Sequence, residues 1–214
     1  MSVLVLTRGL QDALRVHYAA ITGAVAAYAI VPFPDEENQA QFTHRFTSTE
    51  AMDEAEKNGM RSTPRDLISV ITQYNGLRRE GKTAARAAMI DYDVLSKAIE
   101  LCSKFGITVA AHDPREPVDS HWNEGVSYIV LKSFRRGLQN GSYQFLRANT
   151  QFADPSRASD LHRLYLHVVL HQGARTIHNY RYPGVLERQE KKAAIYEERK
   201  RVSETYLYKL SDHS

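Results

Sequence analysis

An uncharged stretch near the N-terminus constrains the fold more than any other feature of the sequence. It extends from Tyr18 to Phe33, 16 residues, whereas a membrane span needs about 20. Apolar side chains recur here at steps of three and four residues, the spacing of one helix face: Leu10, Leu14, Tyr18, Ile21, Val25 and Tyr28. We therefore expect a core helix that Pro32 and Pro34 end, and no membrane partner.

Charge is distributed unevenly along the 214 residues. Residues 1–60 hold 4 basic and 8 acidic side chains, residues 61–150 hold 13 and 9, and residues 151–214 hold 11 and 8. The sequence thus divides into an N-terminal helical region with an acidic loop (1–60), a basic α+β region (61–150) and a C-terminal helical hairpin (151–214). A polyanionic partner is more plausible for the two later regions than for the first.

The single cysteine, Cys102, cannot form an internal disulfide. A chain of this size without disulfides is typical of a reducing compartment, so we expect a cytoplasmic protein.

Several segments carry helix signals. Capping residues, glycine stops and apolar periodicity predict helices in five segments: residues 49–58, 64–80, 83–89, 94–105 and 156–181. A last helix, predicted from Val185 to about Leu210, carries many charges and only a thin apolar stripe, Ile195, Val202 and Tyr206. Such a helix favours packing on another subunit, and intrahelical ion pairs on an exposed helix are the alternative.

Other segments carry strand signals. Phe42, His44 and Phe46 alternate, residues 107–111 and 126–134 are predicted strands, and Asn140-Gly141 is typical of a tight hairpin within 138–146. The predicted fold class is α+β and mostly helical, with a small antiparallel sheet or hairpin in the middle third and a long C-terminal helix.

The order of elements from residue 64 to residue 134 resembles a winged helix-turn-helix, and residues 77–83 leading into Ala87-Ala88 are similar to the opening of such units. The resemblance implies that the 94–105 helix enters the major groove, with the two strands as the wing. Three core helices packed by Ala and Leu are the alternative. The side chains that would contact DNA are Lys82, Arg86, Ser96, Lys97 and Lys104.

A second candidate interface combines cations with aromatic rings. Between Glu124 and Asp154 the chain has no acidic residue. Cations neutralise phosphates and flat rings stack on bases, so the mixture favours nucleic acid; a core of rings with solvated edge charges is the alternative. The candidate residues are Lys132, Phe134, Arg135, Arg136, Tyr143, Phe145 and Arg147.

Histidines recur on the 156–181 helix. His167 and His171 are four residues apart, which suits two ligands of one metal ion, but neither an HExxH nor a paired-cysteine motif accompanies them. With Arg163 and Arg175 nearby, this face could instead bind phosphate. We therefore predict no metal and no cofactor.

The templates of common catalysts are missing from the sequence. It contains no glycine-rich phosphate loop and no GxSxG elbow, Cys102 lies among apolar positions, and prolines follow the pair His112-Asp113. We predict a non-enzymatic nucleic-acid-binding protein, for DNA or RNA, that forms a homo-oligomer through its last helix. The alternative is a capsid- or connector-like assembly protein, and a metal-dependent hydrolase is a distant third.

Overall fold

The protein is described by a computed structural model over residues 8–25, 30–59, 61–70, 82–185, 188, 191–193 and 195–198. Seven α-helices account for most of these residues: α1 (Arg8–Thr22), α2 (Glu36–Arg45), α3 (Thr49–Asn58), α4 (Lys82–Ala87), α5 (Tyr92–Phe105), α6 (His121–Gln139) and α7 (Ala158–Arg181). The chain divides into two compact units, Met1–Thr176 and Ile177–Ser214. No strand occurs among the described residues, so the predicted α+β class is wrong and the fold is all-α.

Helix α1 is the centre of the first unit. Ten of its fifteen residues are buried, so neighbours cover far more than the single face that the apolar stripe predicted. It packs against α4, α5, α6 and the 3-10 turn Gln144–Leu146. The predicted core helix is confirmed, but it ends earlier than expected, because Gly23 takes a left-handed conformation with φ of 74°.

A buried hydrogen-bonded chain crosses from α1 to α6. His17 Nδ1 lies 2.7 Å from the Tyr143 hydroxyl, and Nε2 lies 2.9 Å from Ser133 Oγ. The Ser133 hydroxyl in turn donates to the carbonyl of Ile129. One neutral tautomer satisfies every partner: Tyr143 donates to Nδ1, and the Nε2 proton is donated to Ser133. Burial lowers the pKa of His17 to about 3, which keeps the ring in this neutral form.

Helix α6 lies where the sequence predicted a loop and a strand at 126–134. Ser120 caps its first turn, accepting from the amide of Asn123. Its buried side chains recur at helical steps: Trp122, Val126, Ile129, Val130, Ser133, Phe134 and Leu138. Two glycines let neighbouring rings approach the helix backbone, since an added Cβ at Gly125 would lie 2.2 Å from Phe42, and one at Gly137 would lie 2.5 Å from Tyr143.

The predicted Asn140-Gly141 hairpin is also wrong. These residues end α6: the amide of Gly141 donates to the Leu138 carbonyl, and the amide of Ser142 donates to Gly137. This is the bonding pattern of a Schellman motif, and it needs a left-handed residue, which Gly141 supplies with φ of 75°. The dipeptide was correctly read as a turn, but the turn follows a helix.

Two more strand predictions are wrong. Residues 42–46 belong largely to α2, where Phe42 and Phe46 are four residues apart and both buried, while His44 between them is exposed. Asp35 starts α2 by accepting from the amide of Asn38 at 2.8 Å. Residues 107–111 follow the left-handed Gly106 as irregular backbone.

Three of the predicted helices are confirmed. Helix α3 has the predicted bounds, α5 ends at Gly106 as expected, and α7 ends just before the predicted break at Tyr182. The helix predicted over 64–80 is wrong where the structure describes it, because only Arg65–Leu67 form a 3-10 turn and residues 68–70 are irregular. Residues 71–81 lie outside the described residues.

The second unit contains the end of α7, the turn at Tyr182-Pro183-Gly184 and further helical positions between 185 and 198. The predicted last helix agrees with these positions, and its remainder to Leu210 lies outside the described residues. Across the described chain, no helix has both the length and the apolar character that a membrane crossing requires.

The neutral, buried His17 predicts a specific pH dependence of folding. Its pKa is about 3 in the folded state and about 6.5 when unfolded, so between these values the unfolded chain binds one more proton. The free energy of unfolding should therefore fall as the pH drops below about 6.5, by about 1.4 kcal/mol per pH unit for this residue. His112, whose pKa burial lowers to about 4, acts in the same direction.

Urea denaturation between pH 7 and 4.5 measures this dependence. In His17→Leu, the free energy of unfolding should depend less steeply on pH, by about 1.4 kcal/mol per pH unit. In His44→Leu, at an exposed position of α2, the pH dependence should be that of the wild type. A His17→Leu profile as steep as that of the wild type would contradict the buried network.

Candidate functional site

An open groove lies between α6 and the first two turns of α7. Its volume is about 500 Å³, within the range of ligand sites in proteins. Leu131, Ala158 and Leu166 form its apolar part, and four polar side chains complete the lining: Arg135, Ser159, His162 and Arg163. We call this site the α6–α7 groove.

Helical spacing explains why these residues meet. Leu131 and Arg135 are four residues apart on α6, so they share one face of that helix. On α7, both His162 and Arg163 are three or four residues from Ser159 and from Leu166, so these four residues form the opposite wall. The side chains therefore stand on two regular helices rather than on a loop.

The two arginines of the groove form no ion pair within the described chain. The Nε atom of Arg135 is buried and has no hydrogen-bond partner there, an arrangement that is costly unless a ligand or water completes it. Neither guanidinium group of the groove is thus bonded to a carboxylate within the described residues.

The nearest acidic side chains are used elsewhere. Asp160 pairs with Arg157, Nε to Oδ2, at 2.7 Å. Asp154 accepts from the amide of Ser156 at 2.8 Å, and its pKa is lowered chiefly by bonds from Ser156, with smaller effects from Arg157 and Arg135. Neither carboxylate bonds to a cation of the groove within the described residues.

Positive charge continues along α7 beyond the groove. Within the first unit, from Leu161 to Thr176, the sequence contains two arginines and three histidines but no acidic residue. His171 illustrates the local field: burial lowers its pKa, and the neighbouring Arg15, Arg175 and His167 lower it further. This surface therefore favours an anion.

Such a field opposes a metal ion. His167 and His171 are both exposed on α7, as the sequence predicted, but cations surround them. Among the described residues no three His, Cys, Asp or Glu side chains are grouped so that they could hold a metal.

Other predicted contacts are engaged within the protein. On α5, Lys97 lies 2.9 Å from the Glu56 carboxylate, and Lys104 pairs with Glu100 at 3.3 Å. On α6, Lys132 lies 2.8 Å from the same Glu56 carboxylate. Helix α3 thus covers the face of α5 that the winged helix-turn-helix resemblance assigned to DNA.

Glu56 organises these contacts. Partial burial alone would raise the pKa of its carboxyl group, but hydrogen bonds from Lys132, Tyr128 and Lys97 outweigh that effect and lower the pKa to about 2. Glu56 is therefore a carboxylate at neutral pH and connects α3 with α5 and α6.

Two predicted arginines also have acidic partners. Arg136 forms a two-point ion pair with Asp93, at 2.8 and 3.0 Å. Arg86 lies 3.9 Å from the Asp12 carboxylate. Both pairs join neighbouring helices.

The predicted rings do not form a stacking surface. Phe134 and Tyr143 are buried, and their ring centroids lie 4.9 Å apart in the core. Phe145 is half-buried and packs against the core. Neither buried ring leaves a face for a base, because the predicted strand at Phe134 is part of α6 and the predicted hairpin at Tyr143 is a turn after that helix.

The remaining predicted residues lie apart from the groove lining. Lys82 is exposed at the start of α4, and Ser96 is half-buried on α5. Arg147 is exposed and left-handed, with φ of 56°. Of the twelve predicted nucleic-acid contacts, only Arg135 lines the groove.

The His112-Asp113 pair is part of the packing. His112 is buried, and its amide donates to the Tyr18 hydroxyl at 3.0 Å. The Asp113 carboxylate is held by Arg115 at 2.8 Å, and its own amide donates to Asn123. These contacts fix the loop before α6.

The sequence offered a signal for the groove that the predictions did not use. Arg163 was considered for phosphate binding, but Ser159 and His162 were not assigned. The absence of acidic residues from 161 to 186, on a helix already predicted there, marks the same surface.

Comparison with known proteins adds no relative. No protein-family model, no curated protein and no solved structure matches this chain.

The Glu56 contacts predict a structural role for the lysines around it. Glu56→Ala should lower the free energy of unfolding by about 1 to 3 kcal/mol, because Tyr128, Lys97 and Lys132 each lose one of their two acidic partners. Glu54→Ala, at an exposed position of the same helix, should change it by less than about 0.5 kcal/mol. Equal effects in urea denaturation would contradict this role.

Proposed function

We propose that this protein binds nucleic acid, DNA or RNA, without catalysing a reaction, and that the α6–α7 groove contacts the backbone phosphates. The observation that carries the proposal is the pair Arg135 and Arg163 in a groove of about 500 Å³, with no acidic partner among the described residues. A cytoplasmic location remains part of the proposal.

Guanidinium chemistry supports a phosphate ligand. Arginine presents several N–H donors in a planar fork that matches two oxygens of a phosphate group. Arg135 has a buried Nε donor that lacks an acceptor in the described chain, and the Ser159 hydroxyl is a further donor in the lining. A phosphate would satisfy these groups together.

The extent of the positive surface supports a polymer over a small anion. Residues 161 to 176 carry no acidic side chain, and at 1.5 Å per residue α7 extends about 18 Å from Arg163 to Arg175. A phosphate backbone can follow such a surface, because its charges repeat along the chain.

The groove replaces the sites that the sequence proposed first. Without strands at 107–111 and 126–134 there is no wing, and the α5 lysines bond to Glu56 and Glu100. The proposal therefore does not rely on a helix in the major groove.

Removal of the two groove arginines tests the proposal. Arg135→Ala/Arg163→Ala should weaken binding of a fluorescent oligonucleotide tenfold or more at about 50 mM salt, and should reduce the salt dependence, log Kd against log salt, by about 1.4 to 1.8. Fluorescence anisotropy between about 50 and 200 mM salt measures both quantities.

The matched control is Arg86→Ala/Arg136→Ala. It also removes two positive charges, but from residues that are paired with Asp12 and Asp93. The affinity for the oligonucleotide should therefore change less than threefold. Equal losses in both variants would indicate a general charge effect and contradict the groove as the site. Failure of the wild type to bind any oligonucleotide at low salt would refute the proposed function.

A second candidate function, self-assembly, is favoured by the second unit. Its described residues include apolar and aromatic side chains that are more than half exposed, Tyr182, Ile195 and Tyr196. Such side chains are common at subunit contacts. The predicted oligomer through the last helix would bury them.

Sedimentation velocity tests self-assembly. The wild type should form oligomers at micromolar concentration, and Ile195→Ser/Tyr196→Ser should dissociate them because apolar contact area is lost. Lys192→Ser/Glu197→Ser changes two other exposed residues without altering net charge and should leave the oligomer intact. A monomeric wild type would contradict this candidate.

A further inference from the structure

The apolar part of the α6–α7 groove offers a phosphate neither a hydrogen bond nor a positive charge. Leu131, Ala158 and Leu166 make up three of the seven lining residues, and they lie beside the arginines. Leu131 and Leu166 are half-buried and pack against the core. A phosphate or a metal ion gains nothing from such a surface, whereas a flat, weakly polar group gains by covering it.

We propose that the groove holds one unstacked nucleotide, with its phosphate on Arg135 and Arg163 and its base against Leu131, Leu166 and His162, so that the ligand is single-stranded nucleic acid. This inference rests on the proposed function. It names the form of nucleic acid that the proposed function leaves open.

The chemistry of the lining distinguishes a single strand from a duplex. In a duplex the bases are stacked and paired, and only sugars and phosphates reach a groove of this size. In single strands the bases can turn outward and stack on aromatic or guanidinium planes. His162 is exposed at the lining, so a base has an aromatic plane within the site while the two guanidinium groups hold the phosphate.

The volume is consistent with one nucleotide. At about 500 Å³ the groove falls in the range of small-ligand sites. Its mixture of an apolar surface with a few charged donors also matches such sites. The neighbouring phosphates of the strand would then lie along α7, whose residues 161 to 176 include no acidic side chain.

The test compares four probes in fluorescence anisotropy or competition at about 100 mM salt. They are a single strand of about 12 nucleotides, the same strand with abasic sites, the corresponding duplex, and a mononucleotide. The single strand should bind tenfold or more tightly than the abasic strand, which keeps every phosphate, and more tightly than the duplex. The mononucleotide should compete weakly, because it lacks the flanking phosphates.

Variants locate the base. His162→Ala should weaken binding of the normal strand about fivefold or more and leave binding of the abasic strand unchanged. His167→Ala, at an exposed position one turn further along α7, should affect the two strands equally.

The outcomes separate this inference from the proposed function. Equal binding of normal strand, abasic strand and duplex would overturn the inference and leave phosphate binding intact. A mononucleotide that binds as tightly as the strand would assign the groove to small nucleotides and also overturn the inference. No binding by any probe would refute the proposed function itself.

Discussion

The buried contact between His17 and its two hydroxyl partners is the constraint on which the arrangement of the first unit depends. A ring with two polar nitrogens lies among the mostly apolar buried side chains of α1, and Tyr143 and Ser133 satisfy both nitrogens. Ser133 lies on α6 and Tyr143 lies in the turn after it. The hydrogen bonds to His17 therefore fix the position of both segments against α1. A rotation of α6 would leave a buried donor or acceptor without a partner, which costs about 1 to 3 kcal/mol.

This constraint also orients the groove. Ser133 faces α1, and at 100° per residue Leu131 and Arg135, two positions before and after it, point away from α1. Their face of α6 is the one that meets α7. The same histidine contact that organises the core therefore directs Arg135 to the surface beside α7, where Arg163 and His162 line the other side.

The distribution of partners separates structural cations from candidate binding cations. Three of the cations bond to carboxylates of neighbouring helices: Lys97, Lys132 and Arg136. These ion pairs connect the helices. Arg135 and Arg163 have no such partner within the described chain. A count of basic residues along the sequence treats all of them alike, whereas the packing of the helices distinguishes them.

Local signals predicted part of the fold. Helices α3 and α5 end at Gly59 and Gly106, and Pro183-Gly184 follow α7; such signals act within a few residues and can be read from the sequence. Helix α6 was missed because its apolar residues between 126 and 134 also fit a two-residue alternation, and because Gly125 and Gly137 weaken its helix propensity. Those glycines are explained only by Phe42 and Tyr143, which are distant in sequence.

The site was less predictable than the fold. Arg135 and Arg163 were both noticed, but in separate hypotheses, because their meeting requires α6 to be a helix and to pack beside α7. The sequence predicted that Phe134 and Tyr143 stack on bases. An aromatic residue near arginines gives the same sequence pattern whether its ring is buried or exposed. Burial is set by the tertiary structure, so no local pattern could separate the two cases.

The central claim is that Arg135, and not its paired neighbour Arg136, meets the phosphate backbone. The most direct measurement is a side-chain Nε–Hε NMR spectrum of ¹⁵N-labelled protein, assigned with Arg135→Lys and Arg136→Lys and titrated with a single-stranded oligonucleotide. The account predicts that the Arg135 signal shifts on binding while the Arg136 signal, already bonded to Asp93, stays in place. A shift of Arg136 with Arg135 unchanged would contradict it.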